Sequence, residues 1–127
     1  PEKGWSKTEN VKFYLQIKDT QLYHNLYLNL RITGDYPFCN MYVLVHIHGP
    51  EGSHSAERVG VMLATPEGKW LGSGMGDVIS YQIPLLSNKV FTRNGKYSVE
   101  IEQYMRIDVL PYVRDIGLMV ETGEEII

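Results

Sequence analysis

The sequence has one cysteine, Cys39, in 127 residues, which excludes an internal disulfide and any cysteine-rich metal site. The fold therefore rests on packing. Long hydrophobic runs are also missing, since the longest, Met41 to Val45, falls far short of the roughly 18 residues needed to span a bilayer. An excess of positive charge is missing as well: the formal net charge is −3 and there is no basic stripe to track a phosphate backbone, so nucleic acid is excluded as a partner. No window holds a helical apolar period, and no repeat of solenoid or propeller length recurs. No apolar signal segment lies near Pro1, and a first residue other than Met implies a trimmed or cleaved N-terminus. What is present is an ordinary globular composition, 43% hydrophobic with nine Tyr, two Trp and three Phe, matching one domain.

The apolar residues alternate. Val11, Phe13, Leu15 and Ile17 share one face of a half-buried strand, and Leu26, Leu28, Leu30 and Ile32 share one face of a second, His24 to Thr33. Asn40 to His48 is apolar on both faces and predicts a central strand. Further strands are expected over Arg58 to Thr65, over Val78 to Leu86, where Pro84 limits the strand to an edge or an irregular one, from Tyr97 to Gln103, and through Ile116, Leu118 and Val120. Lys89 to Thr92 reads as a short extended piece, and Ile107 to Asp115, with Leu110-Pro111, as a connection holding one helical turn. Strands about every 8 to 15 residues with turn signals between them predict an all-β fold: an antiparallel two-sheet β-sandwich, jelly-roll or Ig-like, of about seven to nine strands. Residues 1–10 read as a linker and 11–127 as the sandwich domain. Tyr97, directly after Asn94-Gly95-Lys96, predicts a tyrosine-corner-like anchor.

Gly68 to Asp77 interrupts the β patterns with four glycines around a single large aromatic, Trp70. It is not a nucleophile elbow, because Leu71 and Met75 flank Ser73 where glycines are needed, and it lacks the Gly-Lys-Ser/Thr of a phosphate loop. Two readings remain, a partner-contacting loop and a crossing between sheets plugged by Trp70; the second is preferred. His46, His48, Glu51 and His54 resemble the start of a cupin metal site, yet Asn40 stands where a glycine belongs and the distant second half is absent, so no metal is expected. Glu100 and Glu102 share a strand face roughly 6.5 to 7 Å apart, but a solvated acidic row explains them without catalysis. Asp77 has a turn or capping role by default, and Cys39 reads as a half-buried structural thiol. Tyr14, Tyr27, Tyr42 and Tyr104 fall on the less apolar strand faces, with Trp70 and Tyr112 in connections. These aromatics either form a second packed layer or bind a protein or glycan, and the binding candidates are Trp70, Asp77, Tyr42, Tyr104 and Tyr112.

Several segments together resemble a known family. Tyr23-His24-Asn25-Leu26-Tyr27-Leu28-Asn29-Leu30-Arg31, Gly34-Asp35-Tyr36-Pro37, and Gly68-Lys69-Trp70-Leu71-Gly72 through Gly76-Asp77 are the first three. Gly95-Lys96-Tyr97 with Glu100-Ile101-Glu102-Gln103 and Met105-Arg106, and Leu110-Pro111 with Asp115-Ile116-Gly117-Leu118, complete the set. In this order they are similar to the gliding-motility-associated lipoproteins of the GldH type, from Trp5 to Glu121. The resemblance implies a bacterial envelope lipoprotein of the Bacteroidota, held to a membrane by an N-terminal lipid upstream of Pro1 and facing the periplasm. It implies no catalytic residue and no cofactor, and as partners it implies other envelope proteins of the gliding or secretion machinery. The alternative from another class is a carbohydrate-binding module using Trp70 and the tyrosines. A cupin-like enzyme ranks last.

Overall fold

The computed structural model describes residues 4–127. Its strands are β1 (Trp5–Ser6), β2 (Val11–Ile17), β3 (Leu22–Thr33), β4 (Asn40–His48), β5 (His54–Met62), β6 (Ser73–Met75), β7 (Val78–Lys89), β8 (Gly95–Gln103), β9 (Val109–Leu110) and β10 (Val113–Glu125). All pair antiparallel, in two four-stranded sheets of order β2-β8-β4-β5 and β10-β3-β7-β6, with β1 and β9 forming a small ribbon. The expected two-sheet sandwich is present. Among the described residues the count of ten exceeds the expected seven to nine because β1 and β9 have two residues each and β6 has three, too short to show alternation.

Alternation decides which side chains meet between the sheets. Leu26, Leu28, Leu30 and Ile32 of β3 are buried against Met41, Val43, Val45 and Ile47 of β4 and Val99 and Ile101 of β8 in one apolar cluster. Strand order separates the two sandwich types left open by the sequence. β3, β7 and β6 neighbour one another as strands B, E and D do in an Ig-like domain, and β8, β4 and β5 follow the order F, C, C′. The jelly-roll alternative does not match this order. The first and last long strands depart from the Ig pattern: β2 lies beside β8 and β10 beside β3, each on the edge the other would occupy. Tyr97 is the third residue of β8, and its hydroxyl donates to the Arg93 carbonyl at 2.7 Å, tying the β7–β8 corner in the tyrosine-corner manner.

Four sequence expectations need correction. The segment read as a linker holds β1, where Trp5 is 1% exposed and its indole N–H donates to the Glu9 carbonyl at 2.9 Å. A lone aromatic with no neighbouring alternation gives no strand signal. Strand β5 begins at His54, four residues before the expected start, because an exposed edge strand needs no apolar period. It ends at Met62, although Ala64 still bridges to Trp70. The connection after Ile107 has no helical turn. It forms β9 and then a sharp reversal at Tyr112, whose φ of 63° is left-handed. Pro84 behaves as expected, since β6 pairs only with Val78 to Ser80 and leaves the rest of β7 open on that side.

Candidate functional site

Strand polarity brings the ends of β3, β5 and β8 and the starts of β4, β7 and β10 to one end of the sandwich. All five sequence candidates lie there, in three different settings. Tyr42 and Tyr104 share a groove. Asp77 and Tyr112 flank the end of β3, where their carbonyls accept the Gly34 and Thr33 N–H groups at 2.8 and 3.0 Å. Their main chains therefore splice the sheet end, and nothing brings either side chain to the groove.

Trp70 sits in the crossing from β5 to β6, which carries the chain from one sheet to the other. A tight turn, with Thr65 N–H donating to the Lys69 carbonyl at 2.8 Å and Leu71 N–H to the Leu63 carbonyl at 2.9 Å, folds the strand back on itself. That places the half-buried indole against the core, 6.5 Å from the Tyr36 ring. Tyr81 donates to the Leu63 carbonyl at 2.6 Å from the same cluster. Burial raises the Tyr36 hydroxyl far above its ordinary pKa, with Tyr81 adding to the effect. The arrangement is that of a plug. Trp70→Ala is expected to lower stability by about 2–3 kcal/mol, less than a fully buried tryptophan would, and Trp70→Phe to restore most of it in urea unfolding.

The groove lies on the outer face of the β2-β8-β4-β5 sheet and has a volume of about 770 Å³. Tyr42 points outward because Met41 and Val43 point inward. Its ring lies across Gly60, its register partner on β5, where an added Cβ would meet the ring at 2.5 Å. A glycine opposite an aromatic gives the ring a fixed seat on the sheet. The Arg58 guanidinium sits 5.5 Å from that ring. Tyr104, 49% exposed, follows β8 and donates its N–H to the Tyr42 carbonyl at 2.8 Å.

Gln103 holds this wall in place. It is fully buried, its amide oxygen accepts from Met105 N–H at 2.9 Å, and its Nε2 donates to the Ile107 carbonyl at 2.8 Å. Both ends of the side chain are satisfied, so the loop carrying Tyr104, Met105 and Arg106 has a rigid foot in the core. The Tyr42 N–H also reaches the Met105 sulfur at 3.2 Å. Phe38, Lys7 and Glu102 complete the lining. Sequence reading picked out the two tyrosines but missed Arg58, Met105 and Arg106. Only the antiparallel register, Tyr42 beside Gly60 and two residues along from Arg58 on β5, brings them together.

The same sheet face carries the histidines. His48 and His54 stack at 4.5 Å and His46 and His54 at 5.7 Å, while His46 Nε2 lies 3.0 Å from Glu102 Oε1. Parallel rings do not converge their nitrogens on a point, and among the described residues no group of three His, Cys, Asp or Glu side chains is placed to hold a metal. Glu51 is turned away to Arg93 at 2.6 Å. Cys39 is exposed and not half-buried, since the main chain there is held by Leu63 and Ala64 N–H groups on its carbonyl.

Glu100 and Glu102 share this face without forming a catalytic pair. The Asn10 amide, 2.8 Å away, depresses the Glu100 pKa, helped by Lys12, His46 and His48 and opposed by partial burial. A depressed pKa contributes stability above the ordinary carboxylate range, and that contribution is lost as pH falls through the folded value. Asn10→Ala is expected to move the Glu100 carboxyl titration upward toward the ordinary value, read by carbon NMR, with a weaker acid limb.

Residues 1–120 match the family described as GldH lipoprotein. The chain belongs to the GldH lipoprotein family. Among curated relatives, a "Gliding motility lipoprotein GldH homolog" of Christiangramia forsetii is 31% identical over 127 residues, covering 94% of this chain and 78% of the relative. The "Gliding motility lipoprotein GldH" of Flavobacterium johnsoniae is 30% identical over 125 residues, covering 93% and 77%. No solved structure matches this GldH-family chain.

Proposed function

We propose that this protein is a non-catalytic accessory component of the gliding machinery and its associated secretion apparatus, working as a scaffold that binds other envelope proteins. An N-terminal lipid holds it to a membrane of the cell envelope, with the sandwich facing the periplasm. The Tyr42–Tyr104 groove is its docking surface. The observation that carries this reading is the groove's chemistry: exposed tyrosine and arginine beside a half-buried methionine, around a fixed wall, are the residue types enriched where proteins meet. Membership in a family of gliding lipoproteins supplies the setting.

Exposed tyrosines also favour a second reading, a carbohydrate-binding module. Two of these rings are already in use, however, since Arg58 sits over Tyr42 and Lys96 lies 4.8 Å from the centre of the Tyr14 ring. Neither ring is the bare platform on which a sugar stacks.

A photo-reactive phenylalanine placed at Tyr104 in growing cells tests the docking surface, with the exposed Glu124 on the opposite sheet as control. Adducts with envelope proteins from position 104 alone support it; none from 104, or equal adducts at both positions, contradict it. Labelling with an alkynyl fatty acid tests the anchor, which falls if the protein stays unlabelled.

A further inference from the structure

The groove is more positive than the chain around it. Lys7, Arg58 and Arg106 line it, and its one lining carboxylate, Glu102, is already held 3.0 Å from His46. Among the described residues none of the three cations has a carboxylate within 4 Å, whereas Arg31 pairs with Asp115 and Arg93 with Glu51. A chain with a net charge of −3 thus gathers unpaired cations around two exposed tyrosines.

We propose that the groove receives an extended acidic segment of a partner protein, its carboxylates meeting Arg58 at one end and Arg106 with Lys7 at the other. This rests on the reading of the groove as a docking surface. Arg58 stands on β5, Tyr42 on the neighbouring β4 and Tyr104 at the end of β8, one strand further. Two strand spacings of about 4.8 Å make roughly 10 Å from Arg58 to Tyr104, and Arg106 lies two residues further along the chain. Two acidic residues four apart, which share one face of an extended chain and stand roughly 13 Å apart, therefore fit, with an apolar side chain midway on that face against Met105 and Phe38. Guanidinium groups bind carboxylates through paired, directional hydrogen bonds, and the ring under Arg58 holds that side chain near the groove. A peptide fits better than an acidic polysaccharide. Phe38 and Met105, both packed on the core, give the lining an apolar part that an aliphatic side chain of a peptide covers and a sugar acid does not.

Fluorescence anisotropy with the purified chain tests this. The probes are a labelled, end-capped peptide carrying two glutamates four residues apart with a valine midway, its glutamine counterpart, and an oligogalacturonate. The glutamate peptide is expected to bind at least about tenfold tighter than the glutamine one. Arg58→Gln and Arg106→Gln should each weaken it by about tenfold, and added salt should weaken it further. Equal affinities, binding of neither peptide, or binding of the oligogalacturonate alone would overturn it. The glutamate–glutamine comparison on the unaltered chain needs no variant to fold, and a thermal melt of each arginine variant checks the rest. If the peptides are not distinguished while cross-linking from position 104 persists, the acidic partner falls and the docking surface stands; if cross-linking also vanishes, both fall.

Discussion

Trp5→Ala is expected to lower the unfolding free energy by about 3–5 kcal/mol and the melting temperature by roughly 10–20 °C. The indole is 1% exposed and belongs to the main core cluster although only β1 carries it. Its strand pairs Trp5 with Leu110 and Ser6 with Val109, so the segment before β2 closes the end of the sandwich. The main chain is fitted just as tightly: a Cβ at Gly4 would fall 2.5 Å from the Leu110 carbonyl oxygen, and the φ of +103° there suits only glycine. The Trp5 carbonyl also faces Gln103 Nε2 at 3.4 Å, which connects β1 to the foot of the Tyr104 loop. The loss should therefore show twice in calorimetry and anisotropy, as a lower melting temperature and as a softened groove. A change below about 1 kcal/mol would mean that Trp5 belongs to the linker that the sequence first suggests for residues 1–10.

Gly72→Val is expected to cost about 3 kcal/mol or more, at the upper end of overpacking changes, with Gly72→Ala between that and the wild type. A Cβ at this position would lie 2.6 Å from the Ser80 carbonyl oxygen, 2.7 Å from Ile79 Cγ2 and 2.8 Å from the Tyr81 ring. The nearest of these is backbone of β7, so the obstruction cannot rotate away. Gly68 and Gly76 have open space and positive φ, 90° and 66°, and serve the turns instead. The glycines of Gly68 to Asp77 thus divide the work: two make reversals, and Gly72 lets the crossing chain lie flat against β7 so that Trp70 reaches the core. Urea unfolding of the two Gly72 variants beside Gly68→Ala and Gly76→Ala separates contact from backbone effects.

Long elements were legible because burial on one face leaves a period of two. β2 and β4 fall on the residues where alternation put them, and the inward rows of β3, β4 and β8 are the buried rows. What alternation does not encode is pairing. The exchange of edges between β2 and β10 depends on which strand meets which, a long-range choice with no local signal. Short or wholly exposed strands escaped for a related reason, as β1, β9 and the first half of β5 have no row to alternate. The candidate site was half legible. Tyrosines on polar faces marked Tyr42 and Tyr104, whereas Arg58 and Arg106 read as ordinary surface charge until register placed them around one groove. Trp70, Asp77 and Tyr112 were picked for their setting in loops, and their contacts there hold the fold together at the sandwich end.

The central claim is that this sandwich works by contact through the groove. The most direct measurement is gliding by cells of the source organism whose chromosomal copy carries Tyr42→Ser and Tyr104→Ser, beside cells carrying Tyr14→Ser, with protein abundance followed by immunoblot. Tyr14 is 64% exposed on the same sheet and does not line the groove. Removing two aromatic anchors is expected to cut gliding at least about tenfold at normal abundance, with Tyr14→Ser unchanged. Normal gliding by the double variant, at normal abundance, would contradict the account.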